Sequence, residues 1–194
     1  MEQMNEIGLI EGARRGDRAS QETLVRLYER RVYGLILRLV GNREDARDIL
    51  QETMVKALTS ISRYDGSYPF SSWLMRIGAN KSIDLLRRRK VEVNLFAYED
   101  DEHAIDDVAD PAALADAALA DKLDWAIVEA CMEKLEPRYR TVLFLRYKDD
   151  LSYEEIARVL SVPAGTVKIL LHRGRIELKK QVLRELGKTR RGEK

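Results

Sequence analysis

Little in this 194-residue sequence suits a disulfide scaffold, a metal centre or a membrane span. It has one cysteine, so no intrachain disulfide can form and a reducing compartment is expected. Its two histidines, His103 and His172, stand far apart, with neither metal-ligand spacing nor a nucleophile motif around them. An enzymatic activity, a metal site and a cofactor therefore find no support. No apolar run approaches the roughly 20 residues of a membrane helix, and "MEQMNEIGLIEGARRGD" lacks the layout of a signal peptide. The expectation is a cytoplasmic protein without membrane insertion. Aromatic residues make up 7% against 35% charged, a balance that favours amphipathic helices over sheets. Only four prolines interrupt the chain, and Pro69, Pro111, Pro137 and Pro163 each stand at a segment boundary.

What is present is charge, unevenly spread. The net charge of +1 names no partner, but Arg87, Arg88, Arg89 and Lys90 form one basic run and a second begins at Lys168. Between them Glu99, Asp100, Asp101, Glu102, Asp106, Asp107 and Asp110 make an acidic stretch. Such blocks imply separate electrostatic tasks. Cys131, between Ala130 and Met132, reads as a small buried apolar residue, the alternative being a redox-sensing thiol.

The first half reads as successive amphipathic helices. One starts at Ser20, with Leu24, Leu27, Tyr28, Val32, Leu35, Ile36 and Leu39 on its buried face, and stops at Gly41. Asn42 caps the next, which buries Ala46, Ile49, Leu50, Thr53, Met54 and Leu58 and leaves Asp45, Asp48, Gln51 and Glu52 in water. "SRYDGSYPF" is a loop that carries three aromatics. "SSWLMRIGANKSIDLLRRRK" is a helix with Trp73, Leu74, Ile77, Ile83, Leu85 and Leu86 as its apolar residues. Residues from Val91 to about Asp110 have no periodicity and read as a flexible linker. Helix character returns after Pro111. Beyond Pro137, "RYRTVLFLRYK" buries Val142, Leu143 and Leu145, and Ser152 with Glu155 forms a capping box that opens "YEEIARVL". Val162, Pro163 and Gly165 turn the chain into a last, basic helix.

Counting about 100° per residue along that helix, Val167, Leu171, Gly174 and Leu178 form the inward stripe. Lys168, His172, Arg175 and Lys179 form a second stripe about 100° away, a fitting footprint for a DNA backbone beside a helix-turn-helix. The alternative is an ordinary solvated face. Ile169 points away from the core, as does Ile176, and suits either a thymine methyl or a protein partner.

Three stretches together resemble the extracytoplasmic-function (ECF) RNA polymerase sigma factors of the sigma-70 family, the promoter-specificity subunits of bacterial RNA polymerase. They are "REDARDILQETMVKAL", "FSSWLMRIGANKSIDLLRRRK" and "LEPRYRTVLFLRYKDDLSYEEIARVLSVPAGTVKILLHRGRIEL". The resemblance implies an all-α protein of two helical domains joined by a flexible acidic linker, its C-terminal domain a helix-turn-helix. Residues 1–91 would be the region 2 domain, 92–118 the linker and 119–194 the region 4 domain. It implies no enzymatic activity. It implies core RNA polymerase as partner, through the β′ clamp helices and the β flap, with promoter DNA and an anti-sigma factor besides.

By the same resemblance, Asp45, Asp48, Gln51 and Glu52 face core polymerase. Tyr64, Ser67, Tyr68, Phe70, Asn80, Lys81, Arg87, Arg88, Arg89 and Lys90 serve the −10 element. Thr166, Lys168, Ile169, His172, Arg173, Arg175 and Lys179 serve the −35 element. The chain departs from the family where Ile169 and Leu170 replace a usual Ser-Arg pair, so its −35 preference is expected to differ. The rival reading is a stand-alone helix-turn-helix regulator, which would need dimer symmetry; nothing reads as a dimerisation zipper.

Overall fold

The computed structural model describes residues 2–89, 96 and 125–192. Lys90, the acidic stretch, His103, Pro111 and the proposed linker apart from Phe96 lie outside them. Among the described residues there are eight α-helices, one 3₁₀ turn and no strand, divided between an N-terminal and a C-terminal unit.

The N-terminal unit holds α1 (Glu2–Arg14), α2 (Arg18–Val40), α3 (Arg43–Thr59) and α4 (Phe70–Arg88), with the 3₁₀ turn Ile61–Arg63 before α4. Helix α2 packs against each of the other three. The sequence reading had no helix before Ser20, yet α1 is there, with Ile10 and Ala13 buried. The chain reverses through Gly16 at φ +84°, and Asp17, not Ser20, caps α2. The Asp17 carboxylate accepts from the Ser20 amide at 2.9 Å and from the Ser20 hydroxyl, which together hold its pKa low. Gly41 ends α2 in the left-handed region at φ +72°, and Asn42 caps α3 at 2.8 and 3.2 Å from the amides of Glu44 and Asp45, as its sequence predicts.

Two core assignments need correction. Leu27 is 57% exposed. Measured from Leu24, the buried residues of α2 span about 0–120°, and Leu27 falls roughly 60° outside that arc. In α4, the bulky Trp73, Ile77, Ile83, Leu85 and Leu86 are only half-buried, and the face turned fully inward is mostly small: Ser71, Ser72, Gly78, Ala79 and Ser82, with Leu74, Met75 and Phe70. The reason is close helix packing. A Cβ on Gly78 would lie 3.3–3.4 Å from the side chains of Ile36 and Val32, so α2 and α4 approach where α4 has least bulk.

The C-terminal unit holds α5 (Trp125–Glu133), α6 (Pro137–Tyr147), α7 (Tyr153–Leu160) and α8 (Ala164–Gly192). Helix α6 starts with Pro137 in its first turn, where the missing N–H costs nothing. Thr141, Val142, Leu143, Phe144 and Leu145 are all buried, so the middle of α6 is covered around its whole circumference and runs through the middle of the unit. Gly174 of α8 lies against it: an added Cβ would meet Leu143 and Tyr139 at 3.3 Å. Cys131 on α5 is 1% exposed, and burial raises its thiol pKa, the behaviour of a packed apolar residue.

The capping box is present. The Ser152 amide donates to Glu155 Oε2 at 2.8 Å and the Glu155 amide to Ser152 Oγ at 3.2 Å. Arg146 supports the turn before it by donating to the Leu151 carbonyl at 3.0 Å. Helix α7 ends at Ser161 in the left-handed region (φ +57°), and the Val162 amide donates to the Ala157 carbonyl at 3.0 Å. The turn is therefore residues 161–163. Gly165, read as part of it, sits in the first turn of α8.

Candidate nucleic-acid interface

In the N-terminal unit the site is a loop backed by aromatic rings. Asp65 accepts from the amide and hydroxyl of Ser67 at 2.9 and 2.7 Å, an Asx turn across Gly66 at φ +77°. Those two bonds hold the Asp65 carboxyl below its usual range. The Tyr64 hydroxyl donates to the Tyr68 carbonyl at 2.7 Å and closes the loop. Behind it, the Tyr64 ring meets Phe70 at 5.2 Å and Trp73 at 5.6 Å, Phe70 meets Trp73 at 5.4 Å, and Tyr28 meets Phe70 at 5.5 Å. Each such pair adds roughly 0.5–1.5 kcal/mol beyond area burial. Tyr64 and Phe70, predicted to face a base, are buried in this cluster, at 9% and 3% exposure. Ser67 and Asn80 are exposed and Tyr68 is half-buried.

The residues assigned to polymerase and those assigned to DNA are partly tied to each other. Arg89, at the end of α4, makes a two-pronged bond to Asp45 of α3, at 2.6 and 2.8 Å. The Asp45 side chain is only 15% exposed, so its expected place in open water is corrected: it lies under the Arg89 fork. Lys81 donates to Glu52 at 2.6 Å, and that bond first, then the ammonium charge, lowers the Glu52 pKa. Asp48 and Gln51 are exposed on the same helix. Arg87 and Arg88 are exposed at the last turn of α4. This pairing was not legible in the sequence because it joins residues 44 and 29 positions apart.

In the C-terminal unit the second helix of the helix-turn-helix carries the expected stripe. Lys168 and Lys179 are exposed, and His172, Arg175, Thr166 and Arg173 are half-buried. Arg175 Nη1 lies 3.5 Å from the hydroxyl of Tyr147, the last residue of α6, a long contact. Ile169 is corrected: it is 9% exposed, not free on the surface. Val167, Leu170 and Leu171 are fully buried beside it, so the first turns of α8 are covered around more of their circumference than one stripe. A helical wheel fixes a residue's angle, not how much of the circle is covered. Ile176 is 44% exposed, as predicted.

Comparison with known proteins adds the decisive observation. Residues 24–92 match the model of sigma-70 region 2 and residues 125–178 that of sigma-70 region 4. The chain is 37% identical to the ECF RNA polymerase sigma factor SigW of Bacillus subtilis over 181 residues, covering 91% of this chain and 96% of that one. The chain belongs to the ECF RNA polymerase sigma factors. Other relatives of this sigma factor include the RNA polymerase sigma-H factor of Pseudomonas aeruginosa, 34% identical over 86% of this chain and 88% of that one. The ECF sigma-E factor of Escherichia coli is 32% identical over 90% and 92%. The solved structure of CnrH in complex with the cytosolic domain of CnrY covers 90% of this chain and 94% of that one, with TM-score 0.58 and 24% identity. The sigma factor RpoE of Bartonella quintana, in complex with the anti-sigma factor NepR, covers 83% and 95%, with TM-score 0.58 and 20% identity. Both share the all-helical fold. The sigma factor family is not an enzyme class. Among the described residues no helix is long and apolar enough to cross a membrane, and no group of His, Cys, Asp or Glu side chains could hold a metal.

Proposed function

We propose that this sigma factor divides promoter recognition between its two units. The N-terminal unit docks on core polymerase with Asp48 and Gln51 of α3, toward the β′ clamp helices, and captures the −10 strand at residues 64–70. Tyr68, Ser67 and Asn80 meet bases, since a base outside the duplex needs a stacking surface and polar edges. Tyr64 and Phe70 shape that surface from behind. Arg87 and Arg88 hold phosphates, while Lys81 and Arg89 do so from positions set by Glu52 and Asp45. The C-terminal unit reads the −35 duplex with the first turns of α8 near the β flap: Thr166 and Arg173 reach base edges, and Lys168, His172, Arg175 and Lys179 follow the backbone. Residues 1–91, 92–118 and 119–194 are the two domains and their acidic linker. The chain works in the cytoplasm, in a stress or envelope response restrained by an anti-sigma factor, the class of partner named with the Bartonella protein.

The observation that carries this reading is the row of basic side chains on the second helix of a helix-turn-helix, with Lys168, His172 and Arg175 inside the residues that match region 4 and Lys179 one residue beyond them. Gel-shift experiments with a −35 duplex and a −10 single strand, with and without core polymerase, test it. Tight, sequence-selective complexes are expected with core alone as the added component. Equal selectivity without core would point to a stand-alone regulator.

A further inference from the structure

Helix α1 has no part in the roles above, yet it grips the loop that the preceding section assigns to the −10 strand. Its last residue, Arg14, reaches 47 and 50 positions along the sequence: Nε donates to the Ile61 carbonyl at 3.4 Å and Nη2 donates to the Tyr64 carbonyl. Those carbonyls bracket the 3₁₀ turn through which the chain enters the loop. Tyr64 passes the restraint on, since its hydroxyl bonds the Tyr68 carbonyl at 2.7 Å. At the other end of the loop, Glu6 accepts a hydrogen bond from the Tyr28 hydroxyl, and the Tyr28 ring lies 5.5 Å from that of Phe70, the residue that closes the loop and opens α4. One short helix thus holds the entrance by a cation and the exit through a tyrosine.

We infer that α1 is a two-point brace which sets the shape in which residues 64–70 meet single-stranded promoter DNA, and that Arg14 is a positioning residue for base selection there. The chemistry favours arginine. A planar guanidinium offers several donors in a fixed fork and can serve two carbonyls at once, whereas a lysine ammonium acts as a single point. The aromatic cluster anchors the rings of Tyr64 and Phe70, but it leaves the backbone of the Asp65–Gly66–Ser67 turn to be held by hydrogen bonds. Arg14 holds the chain just upstream of that turn, at the carbonyls of Ile61 and Tyr64 at the two ends of the 3₁₀ segment.

The inference rests on the −10 assignment, and its test separates the two. Full-length R14Q, R14A, R14K and E6Q are compared with the wild type, and with Y68A as a control for the assignment itself. In the free protein, hydrogen exchange of residues 61–68 should speed up about tenfold in R14Q and R14A, with α2 and α4 unchanged. In holoenzyme, R14Q and R14A should lose about three- to tenfold in affinity for a −10 single strand and flatten the base preference in a randomised −10 library. Core affinity and −35 duplex affinity should hold, R14K should recover part of the loss, and E6Q should show a smaller one. Wild-type exchange and base preference in folded R14Q would overturn the brace, as would an equal loss of −10 and −35 binding. A Y68A holoenzyme that selects −10 bases normally would instead overturn the assignment, and with it the purpose of the brace, even if R14Q loosened the loop.

Discussion

The two units hold their cations in different ways. In the N-terminal unit Arg89 and Lys81 are already held by Asp45 and Glu52, and the loop's rings Tyr64 and Phe70 are spent on packing. In the C-terminal unit Lys168 and Lys179 stand open along α8, on a helix locked from behind by Leu143 and Gly174. The difference fits the two targets proposed above. A duplex groove accepts a rigid helix with free charge along one side. A base drawn out of its stack needs a shaped loop, and shaping consumes side chains that look functional in the sequence.

The contrast can be broken most severely at the C-terminal core. Leu143 is fully buried on the central helix, so Leu143→Ala should cost about 2–5 kcal/mol. The −35 duplex affinity should collapse while hydrogen exchange of α2 and α4 stays at wild-type values; loss of protection in both units would deny that each has its own core. Charge removal is the sharper probe. Lys168→Ala should weaken duplex binding across all sequences and reduce the slope of log affinity against log salt by about 0.9, the share of one phosphate. For Arg89→Ala the expected change in slope is smaller, because Asp45 already neutralises the guanidinium. An Asp45→Asn, Arg89→Gln double-mutant cycle on stability should give a small favourable coupling that shrinks as salt is added, as for any solvent-exposed pair. A coupling of the opposite sign would contradict the pairing of Arg89 with Asp45.

That contrast also marks how far the sequence could be read. The helix-turn-helix, its capping box at Ser152 and Glu155, the Asn42 cap and the basic stripe were all legible, because each rests on spacing within a few residues. The ion pairs, the α1 brace and the small inward face of α4 were not. They depend on which residues meet across tens of positions, and on how closely two helix axes approach at Gly78. Ile169 shows the same limit: its position on the wheel puts it away from the inward stripe, yet it is 9% exposed. Helix α1 offered a local signal that went unused, namely Ile10 and Ala13 on one side, followed by Gly16 and the cap Asp17.

Gentler perturbations follow. The carboxyls of Asp65 and Glu52 both titrate below their ordinary values of 3.8 and 4.5. A depressed folded pKa gives stability that is present above the unfolded value and lost as pH falls through the folded one. Acidification should therefore release the Ser67 amide only below 3.8 and the Lys81 ammonium only below 4.5, after carboxyls of ordinary value have protonated. Amide chemical shifts across an acid titration check this, and a Ser67 amide with no transition would contradict it. The smallest effect is shared by both units. Thr53 and Thr141 are fully buried, with hydroxyls that make no hydrogen bond. Valine has the same shape without the orphaned oxygen, so Thr53→Val and Thr141→Val should each be neutral or stabilising by about 1 kcal/mol in denaturant melts. Clear destabilisation would mean that the hydroxyl has a partner, such as an ordered water.

The most direct test of the whole account is transcription from genomic fragments by core RNA polymerase with and without the purified chain, with every start site mapped. Two-part recognition predicts new starts that depend on the chain, each preceded by a shared −35 and −10 pair at fixed spacing, and lost when either half is scrambled. Association with core that produces no new starts, or starts that need only one of the two elements, would contradict it.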